Sequence, residues 1–256
     1  MIKIRRQTRS GQIALIIGGL LMVALVAMPS WASSGLIRTA VELSCFIAIA
    51  QMWNLLARYA GLVSVGMQAL SGAAAYAMFV LAINFGVNPF LSAALCLIVP
   101  ALPAVPTYAL LHRLDGRYFS IGTSVVAEVF RLVTSNLQFV NAGGGLCLRV
   151  MGDYSSHQRE VCITIMCAIM RLATIGGSYL LLRARYGLAL TAMRDNPVAA
   201  ASQGVNVKRL RFLIFVATAV GMGLASAICF FADRYFGEYG AAYLVVLGIL
   251  TLLVAL

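Results

Sequence analysis

Residues 183–211, RARYGLALTAMRDNPVAAASQGVNVKRLR, decide the reading of this chain, because they form the one long polar interruption between hydrophobic segments in its second half. The stretch holds six basic residues: Arg183, Arg185, Arg194, Lys208, Arg209 and Arg211. Asn196 is placed to cap a helix, since its side-chain oxygen can accept from the free amides of a first turn. Pro197 then occupies the first helical position, where a missing N–H costs nothing. Ala199, Ala200 and Ala201 propagate the turn, and Gly204 is free to take the left-handed conformation that ends it. The spacing predicts a short helix lying across a membrane face, and its basic flanks put it on the cytoplasmic side. It contains no nucleophile, base or metal cluster. Docking into a partner's groove and an ordinary loop helix both fit it.

Hydrophobic residues make up 62% of the chain and charged residues 11%. A soluble surface normally needs about a quarter of the residues charged, so the composition is that of a membrane protein. The formal charge is +11, and 13 of the 19 Lys and Arg (positions 3, 5, 6, 9, 58, 113, 117, 183, 185, 194, 208, 209 and 211) fall in segments assigned to one side. That is a topology signal, with anionic lipid headgroups as the contact, and no basic patch is interleaved with aromatics as in a nucleic-acid binder. The six cysteines, Cys45, Cys96, Cys147, Cys162, Cys167 and Cys229, mostly lie in apolar runs without a C-x-x-C. They read as buried small hydrophobes rather than as disulfides or zinc ligands.

Taken in order, a basic start with Lys3, Arg5, Arg6 and Arg9 precedes an apolar run over 13–28 and the string Ser30-Trp31-Ala32-Ser33. This fits a first spanning helix and also a cleavable signal peptide. A second segment, about 36–56, carries Arg38 and Glu42, four apart and able to pair on one helix face. From Tyr59 to Phe85 the chain turns rich in small residues, with Gly61, Gly66 and Gly72, which predicts a helix internal to the bundle. Ser64 and Gln68 are expected one helical turn apart, facing either a translocation path or a neighbouring helix. A fourth segment, about 90–111, contains Pro100, Pro103 and Pro106 and is expected to be kinked or broken. His112 to Arg117 form a short cytoplasmic turn, with His112 solvated rather than a ligand.

In the next segment Glu128 and Arg131 are three apart on one face and neutralise each other, as a structural brace or as a functional intramembrane pair. Asn141 and Gly143, Gly144 and Gly145 form an outward loop whose bare backbone can approach a substrate or a binding protein. The segment 161–182 carries Arg171 near its midpoint, which needs a cavity or a partner. In the segment 213–231, Gly221, Gly223, Ala225 and Ala227 make two overlapping small-xxx-small pairs, a tight packing face. Asp233 to Gly240 turn outside, and 243–256 enter the membrane again. The fold expected is an all-α polytopic membrane protein of about seven hydrophobic segments in a single domain over 1–256, some re-entrant or discontinuous, with the N-terminus inside.

YGLALTAMRDNPVAAASQGVNVKRLRFLIF resembles the cytoplasmic coupling segment of LivM-type permeases, the membrane subunits of ATP-binding-cassette importers for branched-chain amino acids. The likeness extends from about Asn54 to the C-terminus. It includes a Tyr-Ala-Gly-Leu-x-Ser-x-Gly string, here Tyr59 to Gly66, followed by Gln68, Gly72 and Tyr76. It also includes a Tyr-Phe-x-Ile-x-Thr run, here Tyr118 to Thr123, with the Glu128 and Arg131 pair after it. The resemblance implies that 183–211 couple to ATPase subunits through Arg194, Asp195, Asn196, Pro197, Ala200 and Gly204. The translocation path is expected to involve Ser64, Gln68, Glu128, Arg131, Gly143 and Gly144. It further implies a second homologous permease, two cytoplasmic ATPase subunits, a periplasmic solute-binding protein and a bacterial inner-membrane location, with urea and short amides as related substrates. It also implies a further Gly-Gly-x-Gly turn and helix, so the chain reads as C-terminally incomplete.

No Walker-type G-x-x-x-x-G-K-[ST] occurs and the only lysines are Lys3 and Lys208, so nucleotide hydrolysis is expected on a separate chain. The chain is expected to be neither an enzyme nor a cofactor binder. The competing class is an ion- or proton-coupled carrier using Glu128, Arg131 and Arg171.

Overall fold

The computed structural model describes residues 9–88, 91, 92, 95, 96, 98–114, 116–136 and 156–236. Among these the regular structure is helical. The helices are α1 (Arg9–Ala27), α2 (Ser34–Asn54), α3 (Met67–Asn84), α4 (Ala101–Leu111), α5 (Arg117–Asn136), α6 (Ser156–Arg183), α7 (Arg185–Asp195), α8 (Pro197–Ser202) and α9 (Val207–Phe236). A π-helical turn, Leu55–Ala60, continues α2. Ser34–Ala60, Glu160–Arg183 and Val207–Phe230 are long and apolar enough to cross a membrane. Each of the seven expected segments carries a helix, and the expected outer loop at 141–145 and the re-entry at 243–256 lie outside the described residues.

Helix α9 is the axis of the bundle and packs chiefly against α3 and α2, while α2 also packs against α6. Its small residues explain why. A Cβ at Gly223 would overlap the Pro100 ring and crowd Ala74 of α3, and one at Gly221 would overlap the Met52 side chain of α2. Ala225 and Ala227 are fully buried beside them. The expected packing face is therefore present, and it seats α9 against the start of α4 as well as against α3.

Proline sets the form of the fourth segment. Pro100 is the N-cap of α4 and Pro106 lies inside it, so the helix proper is only 11 residues long. The break expected at the prolines falls at Pro100, the residue against which Gly223 packs.

The boundary between the second and third segments differs from the sequence-based expectation. Tyr59 and Ala60 close the π turn rather than open a new helix. Gly61 then takes φ +67°, a left-handed conformation that ends the turn, its N–H bonding back to the Leu56 carbonyl. Residues 62–66 form a non-helical link, and α3 begins at Met67. Single π turns of this kind are rare and occur frequently at functional sites.

Three basic segments gather at one end of the bundle. The π turn bearing Arg58 packs against α7 and α9. At the far end of α4, the Tyr108 hydroxyl donates to the Lys208 carbonyl at 3.4 Å, and its ring packs on Phe212 and Phe215. The turn with Arg113 and Arg117 therefore borders Lys208, Arg209 and Arg211 at the start of α9. Grouping these cations at one end is what the positive-inside reading of the sequence requires.

Candidate functional site

The first feature is the link at 61–66. Thr123 of α5 turns its hydroxyl oxygen to the Val65 and Gly66 amides, at 3.3 and 3.4 Å, and donates to the Ser120 carbonyl at 2.8 Å. Ser120 donates to the Val63 carbonyl at 2.6 Å, and the Trp53 indole N–H to the Ser64 carbonyl at 3.1 Å. Gly66 allows this close approach, because a Cβ there would overlap the Thr123 carbonyl. The start of α3 thus has no cap of its own and takes one from α5. The two strings quoted separately from the sequence, Tyr59 to Gly66 and Tyr118 to Thr123, are one structural unit.

The second feature is a groove of about 470 Å³ between α3 and α5, within the ~300–1,000 Å³ typical of small-molecule sites. Gln68, Gly72 and Tyr76 line it from α3, and Ser124, Glu128 and Arg131 from α5. Arg131 Nε lies 3.0 and 2.9 Å from the two Glu128 carboxylate oxygens, and Nη2 lies 2.5 Å from Oε1. Both side chains are more than half exposed, at 63% and 57%, so the pair stands in the groove rather than in the packed core.

Gln68 joins that pair, and Ser64 does not. Ser64 is buried in the non-helical link, not one helical turn from Gln68 on a shared face, and its hydroxyl has no hydrogen-bond partner. It borders a void of only about 10 Å³ shared with Thr107, Thr123 and Phe215, too small for any solute larger than water. The alternative of an interhelical hydrogen bond through its side chain is also not seen. The change follows from Gly61, which breaks the helical register on which the one-turn spacing depended. Gly143 and Gly144 lie outside the described residues.

The third feature is the polar stretch 183–211, which holds two helices where the sequence pointed to one. Gly187 permits the sharp entry into α7, since a Cβ there would overlap the Leu182 backbone. Leu190 and Met193 anchor α7 in the core. Asn196 then caps α8, its side-chain oxygen accepting from the Val198 and Ala199 amides at 3.0 Å each, with Pro197 at the first position. Gly204 adopts φ +86°. The Gly204 and Val205 amides bond the Ala201 and Ala200 carbonyls at 3.0 and 3.1 Å, the paired bonds of a Schellman ending. Arg194 and Asp195 form an exposed ion pair of 2.9 Å before the cap.

The faces of α8 are distinct. Ala200 is buried at 3% exposure, whereas Val198 is 78% exposed and Ala199, Ala201 and Ser202 are exposed with it. Ala200 is therefore the anchor of the helix and not part of its outward surface.

Elsewhere, Arg38 and Glu42 pair at 2.9 Å, as their spacing predicts. Arg171, for which no acidic partner is evident in the sequence, reaches the Ser44 hydroxyl of α2 at 3.4 Å. Spacing along a chain cannot reveal a contact between residues 127 positions apart. Among the described residues no group of three His, Cys, Asp or Glu is placed to hold a metal ion.

Helices of membrane-crossing length, with a groove beside a broken helix that its neighbour caps, are those of a multi-pass membrane protein. Residues 35–256 match the family described as the branched-chain amino acid transport system / permease component, and the chain belongs to that family. It is similar to a probable branched-chain amino acid transport permease protein LivH of Methanocaldococcus jannaschii, 24% identical over 155 residues, covering 56% of this chain and 49% of that protein. The chain thus spans about half the length of this curated relative. No solved structure matches it.

Proposed function

We infer that the chain is the permease subunit of an ATP-binding-cassette importer, of the LivM type, forming part of the path for branched-chain amino acids. The observation that carries this reading is α8, a helix capped at both ends, anchored by Ala200 and presenting Val198, Ala199, Ala201 and Ser202 outward at the basic end of the bundle. A rigid helix with one anchored and one bare face is suited to pass movement between a partner and the membrane helices behind it. Cytoplasmic ATPase subunits are the proposed partners of that face, with Arg194, Asp195, Asn196, Pro197 and Gly204 holding its ends. Family membership supports the same assignment.

The α3–α5 groove, with Gln68, Glu128 and Arg131, is this chain's proposed wall of the path, completed by a second homologous permease. A periplasmic solute-binding protein would deliver the ligand in a bacterial inner membrane, with the basic end and N-terminus in the cytoplasm.

The test is recovery of the complex through a tag on this chain, with ATP hydrolysis assayed in the eluate. Recovery of an ATPase and a second permease is the expected result. A chain that emerges alone and transports on an ion gradient would replace this reading with the carrier.

A further inference from the structure

Glu128 lies 11 residues into α5 from Arg117, about 17 Å along the helix at ~1.5 Å per residue. That is just past the middle of the 20-residue helix. An ion pair on a helix of a membrane protein is costly toward lipid and is found where it faces protein or water. Here it faces the groove. The exposed apolar residues Ile121, Val125, Val129 and Leu132 of the same helix run beside Glu128, so the pair stands at the border between the groove and that stripe.

The lining of the groove is divided. Glu128 and Arg131 bring one negative and one positive group within hydrogen-bond distance of each other, so the site has no net charge. Beside them Ala69, Ala73, Ala127 and Phe130 supply an apolar wall, and Gly72 leaves space open, since a Cβ there would meet nothing within 4 Å. A zwitterionic amino acid with an aliphatic side chain has the same division: one carboxylate, one ammonium and an apolar body. A guanidinium matches a carboxylate in a bidentate fork, and a carboxylate accepts from an ammonium, both strengthened by charge.

We propose that Glu128 and Arg131 are the head-group site of the α3–α5 groove, parting around a zwitterionic amino acid so that its carboxylate takes Arg131 and its ammonium takes Glu128. The pair closes on itself when the groove is empty. No charge is then left unpaired in either state, and one ion pair is exchanged for two. Ions of a single sign gain nothing by entering, because each would strand one member of the pair. Urea and short amides can hydrogen-bond both partners but bring no charge to either, so their contacts are the weaker ones. The site therefore selects amino acids over amides, which extends the permease reading on which it rests.

The test is made on the complex purified through this chain and placed in lipid nanodiscs without the binding protein, so that delivery does not set the selectivity. Thr134→Cys, at the groove wall, is labelled with a water-soluble thiol reagent and quantified at that position by mass spectrometry. Leucine at millimolar concentration is expected to slow labelling about tenfold more than isobutyramide does, the scale of one charge-assisted contact. Glu128→Gln with Arg131→Gln abolishes the difference. Glu128→Gln alone moves protection toward the anion N-acetylleucine, and Arg131→Gln alone toward the cation leucinamide. A pair that only braces α5 would show no such dependence on ligand charge.

Equal protection by leucine and isobutyramide, or undiminished leucine protection in the double variant, overturns the proposal. ATPase in the same preparation is scored separately. Its absence counts against the importer reading, while the protection pattern continues to test the head-group site.

Discussion

The Thr123 hydroxyl oxygen lies 3.4 Å from the Gly66 amide, and through this bond α5 caps the start of α3 where the non-helical link at 61–66 interrupts the helix. Helix starts usually draw their caps from the residue just before them. Here a glycine occupies that place, because the Thr123 carbonyl stands where any side chain would go.

The relationship makes opposite predictions for two substitutions at Thr123. Thr123→Val keeps the shape but leaves the Val65 and Gly66 amides without their acceptor, and is expected to cost about 1–3 kcal/mol. Thr123→Ser retains the oxygen and is expected to stay close to the parent. Gly66→Ala is expected to be worse than either, since the overlap is with backbone and cannot be relieved by a rotamer. Thermal stability of the monodisperse fraction in detergent ranks the three, and a Val variant as stable as the Ser variant would show that the cap contributes little.

The glycines of the long helices separate in the same way. Gly223→Ala places a methyl group against the Pro100 ring and is expected to destabilise by about 1–3 kcal/mol through overpacking. A Cβ at Gly176 in α6 meets nothing within 4 Å. Gly176→Ala is therefore expected to be neutral or to stabilise by about 0.5–1 kcal/mol through helix propensity. The same melting measurement checks both.

These comparisons show what the sequence made legible. Spacing along one helix carried through: Arg38 with Glu42, Glu128 with Arg131, and the small-residue face of α9 all stand where periodicity puts them. The Asn196 cap and the Gly204 ending were legible for the same reason, since each is made within a few residues. Periodicity fails where the helix does. Gly61 interrupts the register, so Ser64 turns into the core while Gln68 faces the groove. Contacts between distant segments, Thr123 with Gly66 and Arg171 with Ser44, leave no mark in local spacing.

Arg171 yields a prediction from that second kind of contact. Its partner Ser44 also donates to the Ala40 carbonyl at 2.7 Å, so it remains satisfied when the arginine is removed. Arg171→Met, which keeps the apolar stem, is expected to change stability by less than about 1.5 kcal/mol. Ser44→Leu forces volume into a position only 1% exposed and is expected to cost about 1–3 kcal/mol. If Arg171→Met abolishes uptake with stability intact, the arginine has a role in transport beyond its packing against α2.

The faces of α8 separate packing from docking. Ala200→Glu buries a carboxylate in the core and is expected to lower the stability of the chain itself, by several kcal/mol if the charge is not neutralised. Its effect on coupling therefore says little about an interface. Val198→Glu places the same charge on the outward face, where the chain alone tolerates it. The expected outcome is an unchanged melting temperature together with loss of ATPase co-purification and of uptake. Asn196→Ala, which removes the acceptor from two amides, is expected to cost about 1 kcal/mol, and Asn196→Asp to restore it. Co-purification at parental levels with Val198→Glu would show that this face does not contact the ATPase, and would move the search to the exposed cations at the start of α9.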